Sequence, residues 1–111
     1  MVEEKAFAFA VRIVKLCRYL QNKKHEYVLS KQMIRSGTSI GANIAEAQQG
    51  QSKADFTAKM SIALKETAET IYWLRLLQAT DYLTKEEYQS IYDDCVELER
   101  MLTSIVKSSK Q

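Results

Sequence analysis

The sequence predicts an all-α protein, an antiparallel up-down-up-down four-helix bundle that forms a single domain over residues 1–111. Three observations support this prediction. The chain has no proline and only three glycines, whereas a sheet needs more turn-forming residues. Hydrophobic residues make up 46% and charged residues 27%, as in ordinary globular domains. Apolar residues recur at helical spacing in four stretches, and the short connections between them make neighbouring helices antiparallel.

The first helix is expected over residues 4–21, before the polar segment 22–24. Twelve of the fifteen residues from 6 to 20 are hydrophobic. This run is too short and too often interrupted by cations to be a signal peptide or a membrane span, which predicts a cytoplasmic protein with no membrane partner. Its inward stripe is assigned to Phe7, Val11, Val14 and Cys17, and a second apolar stripe beside it to Phe9, Ile13, Leu16 and Leu20.

The second helix is expected over residues 26–49, with Gly50 as a terminating residue. Its segment 36–45 is rich in small residues and includes Gly37 and Gly41. A glycine inside a helix costs about 1 kcal/mol relative to alanine. This cost indicates close approach of another backbone, or else a kink or a helix boundary near Gly37. The inward residues are Leu29, Met33, Ser36, Ile40, Ile44 and Ala47.

The third and fourth helices begin at residues typical of helix starts. Ser52, with Asp55 three positions later, is expected to cap a helix over residues 52–80. Thr84 and Glu87 form a capping box that opens a helix over residues 84–107. The inward residues are Phe56, Met60, Ala63, Thr67, Thr70, Leu74 and Leu77 on the third helix, and Tyr88, Ile91, Cys95, Leu98, Leu102 and Ile105 on the fourth.

The helices carry more apolar surface than one bundle core can bury. A second stripe on the third helix lies about 100° from the inward one, and it adds to the second stripe on the first helix. Contiguous exposed apolar surface usually marks an interface, so we predict a homo-oligomer. The alternative is a wide core stripe with ordinary scattered exposure. The second stripe on the third helix consists of Ile62, Glu66, Glu69, Trp73 and Leu76.

Charge is unevenly distributed along the chain. Residues 1–50 contain eight Lys and Arg against four Asp and Glu, and residues 51–111 contain eight against ten. The basic half could contact the acidic half of a neighbouring subunit or bind phosphates, or the asymmetry could be accidental. No motif for reading a base sequence is present. The candidate nucleic-acid-binding residues, which could also be only a solvated basic face, are Lys15, Arg18, Lys23, Lys24, Lys31 and Arg35, near His25.

Catalytic motifs are absent from the sequence, and we predict a non-enzyme without a cofactor or metal. His25 is the only histidine, and di-iron bundles need Glu-x-x-His on two helices. Cys17 and Cys95 are expected to be reduced core residues, with a disulfide between them as the alternative. A polar cluster is expected either to be buried and paired, with Arg35, Asn43 or Lys65 as partners, or to lie at an oligomer interface. Metal-dependent catalysis on its carboxylates is a third and more distant hypothesis. Its members are Asn43, Glu46, Glu66, Glu69 and Trp73.

The segment Gln32–Ala47, QMIRSGTSIGANIAEA, resembles the signature Q-x-x-R-x-x-x-S-I-x-x-N-I-A-E-G. This signature belongs to the four-helix bundle proteins encoded in 23S ribosomal RNA intervening sequences, also called S23 ribosomal proteins. The segments 53–56 and 62–70 fit the same family, to which the accessory variability proteins of diversity-generating retroelements are similar in fold. The chain departs from the pattern at Ala47, where glycine is usual, and at Gln48 and Gln49, where an arginine is often found.

The resemblance implies a four-helix bundle protomer in a homopentameric ring. For the retroelement relatives it also implies binding of nucleic acid and of a reverse transcriptase through a basic surface. Two functions follow as hypotheses. The first is a non-catalytic homo-oligomer that binds RNA or DNA non-specifically. The alternative is a protein-interaction scaffold that does not bind nucleic acid.

Overall fold

Four α-helices account for nearly all of the chain in the computed structural model, which describes residues 1–111. They are α1 (Val2–Lys24), α2 (Val28–Gln48), α3 (Lys53–Ala79) and α4 (Lys85–Ser109). Helices that follow one another in the chain pack side by side and α1 also packs beside α4, whereas the backbones of the diagonal pairs stay apart. The protein is therefore the all-α four-helix bundle that the sequence predicts, with a longest dimension of 44 Å.

The starts of α3 and α4 are fixed by side-chain caps. The Oγ of Ser52 accepts a hydrogen bond from the backbone N–H of Asp55 at 3.1 Å. The Oγ1 of Thr84 accepts one from the N–H of Glu87 at 3.1 Å, and the Glu87 carboxylate accepts one from the N–H of Thr84 at 2.8 Å. These bonds satisfy N–H groups that the first turn of a helix leaves unpaired. Both predicted caps are confirmed.

The turn between α1 and α2 differs from the prediction. α1 continues through the polar segment to Lys24, and the chain reverses at His25, whose φ of 54° is left-handed. Three successive backbone N–H groups, those of residues 28–30, donate to the Glu26 carboxylate at 2.8–3.1 Å. Glu26 is only 7% exposed, and a buried carboxylate needs such partners. This cap moves the start of α2 from residue 26 to Val28.

The side of α1 that faces the core is the one predicted to be its second apolar stripe, not the one predicted to be its inward stripe. Phe9 and Ile13 are 2% and 0% exposed, whereas Phe7 and Val11 are 72% and 39% exposed. The inward assignment of Phe7 and Val11 is therefore wrong, although that of Cys17 is right. Periodicity alone fits either of two neighbouring apolar stripes, so the choice depends on how α2 and α4 pack against the helix. The buried residues of α1 are Val2, Ala6, Phe9, Ile13, Cys17 and Leu20.

On the other three helices the predicted inward residues are buried or half-buried. The one shift is in the last turn of α4, where Val106 is buried and Ile105 is only half-buried. None of the helices combines the length and the apolar character that crossing a membrane requires. The largest fully buried side chains of the core include Ile40, Ile44, Met60, Leu74, Leu77, Leu98 and Leu102.

The two glycines of α2 lie where that helix packs against α1. A Cβ atom built on Gly37 would be 2.8 Å from Cγ1 of Ile13, whereas one on Gly41 would be 3.6 Å from Cβ of Ala6. Distances near 2.8 Å are too short for two carbon atoms. α2 runs unbroken through both glycines, so no helix boundary occurs at Gly37. The predicted approach of another backbone is found at Gly41, where a Cβ would lie 3.6 Å from the carbonyl oxygen of Ala6, whereas at Gly37 the close group is the Ile13 side chain.

Candidate nucleic-acid interface

Five cations lie on the last three turns of α1 and the first turn of α2, and we call this surface the basic end. All five side chains are exposed, and none of them takes part in an ion pair. The thiol of Cys17 donates to the carbonyl oxygen of Ser30 at 3.3 Å, which holds the last turns of α1 beside the first turn of α2. Unpaired exposed cations are available to phosphates. The residues of the basic end are Lys15, Arg18, Lys23, Lys24 and Lys31.

Two other cations of α1 are held by carboxylates of α4. The Nζ of Lys5 lies 3.1 Å from Oε1 of Glu97, and Nη1 of Arg12 lies 2.6 Å from Oδ2 of Asp94. In the first half of α1 the cations that face α4 are therefore neutralised. The cations of this helix without carboxylate partners lie in its last three turns.

Arg35, the sixth candidate for nucleic-acid binding, is paired with carboxylates of α3. Its Nη1 lies 3.7 Å from Oε2 of Glu66, and its Nη2 donates to Oε2 of Glu69. The same Glu69 oxygen accepts a hydrogen bond from Nε1 of Trp73 at 3.1 Å. Three residues of the expected polar cluster thus meet around Arg35. Because the Arg35 side chain is half exposed, such pairs contribute at most about 1 kcal/mol each.

The other two residues of the expected cluster lie apart from Arg35. The Oε1 of Glu46 forms an ion pair with the Nζ of Lys59 at 2.8 Å. The side-chain amide of Asn43 donates to the carbonyl oxygen of Ser39, one turn earlier in α2, at 2.8 Å. The five residues therefore divide between a cluster at Arg35, an ion pair between α2 and α3, and one contact within α2.

Two tyrosines at the basic end were missed by the sequence reasoning. Tyr19 is 39% exposed and Tyr27 is 58% exposed. The Nζ of Lys24 lies 6.0 Å from the centre of the Tyr19 ring. Residues four positions apart are neighbours on a helix, so the spacing of Tyr19 from Lys15 and Lys23 was the sequence signal that could have found it.

A cleft of about 460 Å³ lies beside Tyr19, between α1 and α4. It exists because these two helices have the least extensive contact of the four adjacent pairs. Its apolar residues are Leu16, Leu83 and Ile91, together with the Tyr19 ring. The polar residues around it are Arg12, Lys15, Glu87 and Ser90.

The groups considered for catalysis are not brought together. His25 is exposed in the turn, and no three His, Cys, Asp or Glu side chains are arranged to hold a metal ion. Cys17 and Cys95 are free and buried. Burial raises the pKa of the Cys17 thiol to about 11 and the pKa of the Cys95 thiol to about 12. Both thiols are thus protonated at neutral pH and are poor nucleophiles.

We expect these two thiols to make the fold less stable at alkaline pH. Below the unfolded pKa of 9.0 each thiol is protonated in both states, so its full contribution is present. As pH rises from 9 towards 11 and 12, the unfolded chain releases protons that the folded protein keeps, and the free energy of unfolding falls. Urea unfolding at pH 8 and at pH 10.5 measures the loss.

The matched variant is the double substitution Cys17→Ala and Cys95→Ala. It should lose less of its own free energy of unfolding between the two pH values than the wild type does. An equal loss in both proteins would contradict the assignment to the thiols. Rapid labelling of the native wild type by a thiol reagent at pH 8 would contradict it too.

Comparison with known proteins gives matches over almost the entire chain. Residues 1–104 match the model of the family described as 23S rRNA-intervening sequence protein. The chain is also similar to a crystal structure of a protein with unknown function from the S23 ribosomal protein family of Bacteroides thetaiotaomicron VPI-5482. The two are 56% identical, with a TM-score of 0.95, over 96% of this chain and 99% of that chain. No curated protein matches this chain.

Proposed function

Since the chain belongs to the family of 23S rRNA-intervening sequence proteins, we propose that it is a non-catalytic homo-oligomer that binds RNA or DNA through its basic end. The observation that supports this most is the set of five exposed cations without carboxylate partners. Contacts between cations and phosphates carry no base-sequence information. We therefore propose binding that does not depend on sequence.

A single copy offers only a modest positive field, because the formal net charge of the chain is +2. Affinity for nucleic acid grows with the number of phosphates that are neutralised. Several copies in one assembly would present several basic ends to one strand, and the contacts would then reinforce each other. Self-association is therefore part of the proposal.

The outward face of α1 supports self-association. Phe7 is 72% exposed and Val11 is 39% exposed, and Val14 continues the same face at helical spacing. Exposed contiguous apolar surface is typical of a protein interface. We propose that a second copy of the chain covers this face, in a ring of five as the family resemblance implies.

The proposal predicts salt-dependent binding that is lost when the basic end is neutralised. The test variant replaces Lys15, Arg18, Lys23, Lys24 and Lys31 with glutamine. Binding of generic RNA and DNA is measured by fluorescence anisotropy over a range of salt concentrations. For duplex DNA the slope of log K against log salt should become shallower by about 0.9 for each phosphate contact removed. Affinity at low salt should fall by about tenfold or more.

The matched control changes the net charge equally at cations away from the basic end. These five residues are exposed, and none of them forms an ion pair with an Asp or Glu side chain. The control should retain most of the wild-type affinity, and an equal loss would show that only net charge matters. The control variant replaces Lys53, Lys65, Arg100, Lys107 and Lys110 with glutamine.

Analytical ultracentrifugation of the same samples tests self-association. If the wild-type protein has the mass of a monomer at micromolar concentration, the oligomeric part of the proposal is overturned. An intact assembly that binds neither RNA nor DNA at low salt would overturn nucleic-acid binding. That second result would favour the protein-interaction scaffold, for which the exposed Phe7 face is the supporting observation.

A further inference from the structure

We propose that the basic end prefers single-stranded to double-stranded nucleic acid, because exposed tyrosines stand among its cations. The inference rests on the proposed function and names the form of nucleic acid that this surface takes. Its evidence is separate from the charge, since it comes from two aromatic rings and one cleft. The rings belong to Tyr19 and Tyr27, which are 39% and 58% exposed.

The position of Tyr19 joins a stacking surface to phosphate-binding groups. Lys15 lies one helical turn before it and Lys23 one turn after it, and the Nζ of Lys24 is 6.0 Å from the ring centre. A base that stacked on this ring would thus place its own phosphates near three ammonium groups. Aromatic rings interleaved with cations are the usual means of binding single strands without sequence preference.

Tyr27 offers a second aromatic surface close to the same cations. It lies in the turn between α1 and α2, four positions before Lys31. Because 58% of its surface is exposed, the ring buries little area and contributes little to the stability of the bundle. Its aromatic character is therefore available for contact with a ligand.

The cleft beside Tyr19 gives an unstacked base a place to lie. Its volume of about 460 Å³ falls in the range of roughly 300–1,000 Å³ that is common for small-molecule pockets. Leu16, Leu83 and Ile91 provide apolar contact, and Lys15 is one of the polar residues that line the cleft. Bases in a duplex are stacked and paired, so they cannot enter such a cleft without being unpaired first.

Attraction to phosphates alone would favour the opposite preference. A duplex carries more charge per unit length than a single strand, and its binding releases more counterions for each contact, with slopes of about 0.9 against about 0.7. A surface that used only its five cations should therefore bind a duplex at least as tightly as a single strand. Tighter binding of single strands would have to come from contact with the bases.

The experiment uses the full chain and four probes of equal length. They are a mixed-sequence single-stranded DNA, the corresponding single-stranded RNA, the DNA duplex, and a single-stranded DNA in which every site is abasic. The abasic strand keeps the phosphates and removes the stacking partner. The test variant carries Tyr19→Leu and Tyr27→Leu. The control variant carries Tyr72→Leu, since Tyr72 is 56% exposed on α3, the helix diagonally opposite α1 in the bundle.

We expect both natural single strands to bind more tightly than the duplex and than the abasic strand. The tyrosine variant should lose roughly 5- to 150-fold in affinity for each stacked base, and it should bind the abasic strand as the wild type does. The Tyr72 control should bind all probes as the wild type does. Unchanged melting temperatures of both variants would exclude unfolding as the cause.

Two other outcomes would overturn the inference, and they differ in what else they overturn. Equal binding of the single strand, the duplex and the abasic strand, with no effect of the tyrosine variant, would leave a surface that binds phosphates only. That result contradicts the single-strand preference but leaves the proposed function intact. No binding of any probe at low salt would overturn both.

Discussion

Replacement of Phe9 by alanine should lower the free energy of unfolding by about 3–5 kcal/mol, because the ring is buried in the core and its removal leaves a cavity. The same substitution at Phe7, two residues earlier in α1, should change it by no more than about 0.5 kcal/mol. Phe9 is 2% exposed and Phe7 is 72% exposed. Chemical denaturation followed by circular dichroism, at low micromolar protein concentration, measures both changes.

Measuring unfolding at a second protein concentration separates effects on the fold from effects on self-association. At a tenfold higher protein concentration, Phe7→Ala should weaken any stabilisation that comes from assembly, because the proposed interface includes this ring. Should Phe9→Ala prove too unstable to purify, Phe9→Leu keeps most of the volume and should cost less than about 1.5 kcal/mol. If Phe7→Ala destabilised the dilute protein as much as Phe9→Ala does, the orientation of α1 described above would be wrong.

The two glycines of α2 should respond to alanine in opposite directions. At Gly37 the new Cβ would lie 2.8 and 2.9 Å from two carbons of the Ile13 side chain, which is itself fully buried. Overpacking of this kind costs about 1–3 kcal/mol, which outweighs the gain of about 1 kcal/mol in helix propensity. At Gly41 the nearest atom would be 3.6 Å away. No clash then offsets the gain in helix propensity, so Gly41→Ala should stabilise the fold. Thermal unfolding of the two single variants shows whether each substitution stabilises or destabilises the protein.

A double-mutant cycle with Ile13→Ala identifies the cause at Gly37. Removal of the Ile13 branch alone leaves a cavity and should cost about 2–5 kcal/mol. Gly37→Ala in that background no longer meets the two carbons and fills part of the space, so it should be neutral or stabilising. The coupling between the substitutions should therefore exceed about 1 kcal/mol. Additivity within about 0.5 kcal/mol would contradict a direct clash.

The fold was predictable from the sequence wherever a local signal agreed with the packing. Ser52 and Thr84 mark helix starts because each hydroxyl accepts a hydrogen bond from the backbone N–H three residues later. At Thr84 the Glu87 carboxylate also accepts one from the N–H of Thr84. The turn at His25 was not predictable in this way. α1 ends in a left-handed residue that is not a glycine, and a carboxylate caps α2 through three N–H groups, which neither composition nor periodicity encodes.

The sequence predicted which cations belong to the candidate site, but not which of them are paired with carboxylates. The five cations of the basic end are close in sequence, so about two and a half turns of α1 and one hairpin place them at the same end of the bundle. Arg35 belongs to the same run of positive charge, yet its carboxylate partners lie on α3. Pairing across helices depends on which faces meet. Tyr19 was missed although Lys15 and Lys23 lie one helical turn on either side of it, because this spacing points to a ligand site only once the ring is known to be exposed.

The buried cap at Glu26 affects how the basic end would meet a ligand. Three backbone hydrogen bonds to one carboxylate fix the turn that presents Tyr27 and joins the two cationic helices. A loop that must become ordered on binding loses conformational entropy, whereas a turn already fixed by its own hydrogen bonds does not. The entropy cost of association at this surface would then fall on the strand and on the long cationic side chains, while the backbone that carries them is already ordered.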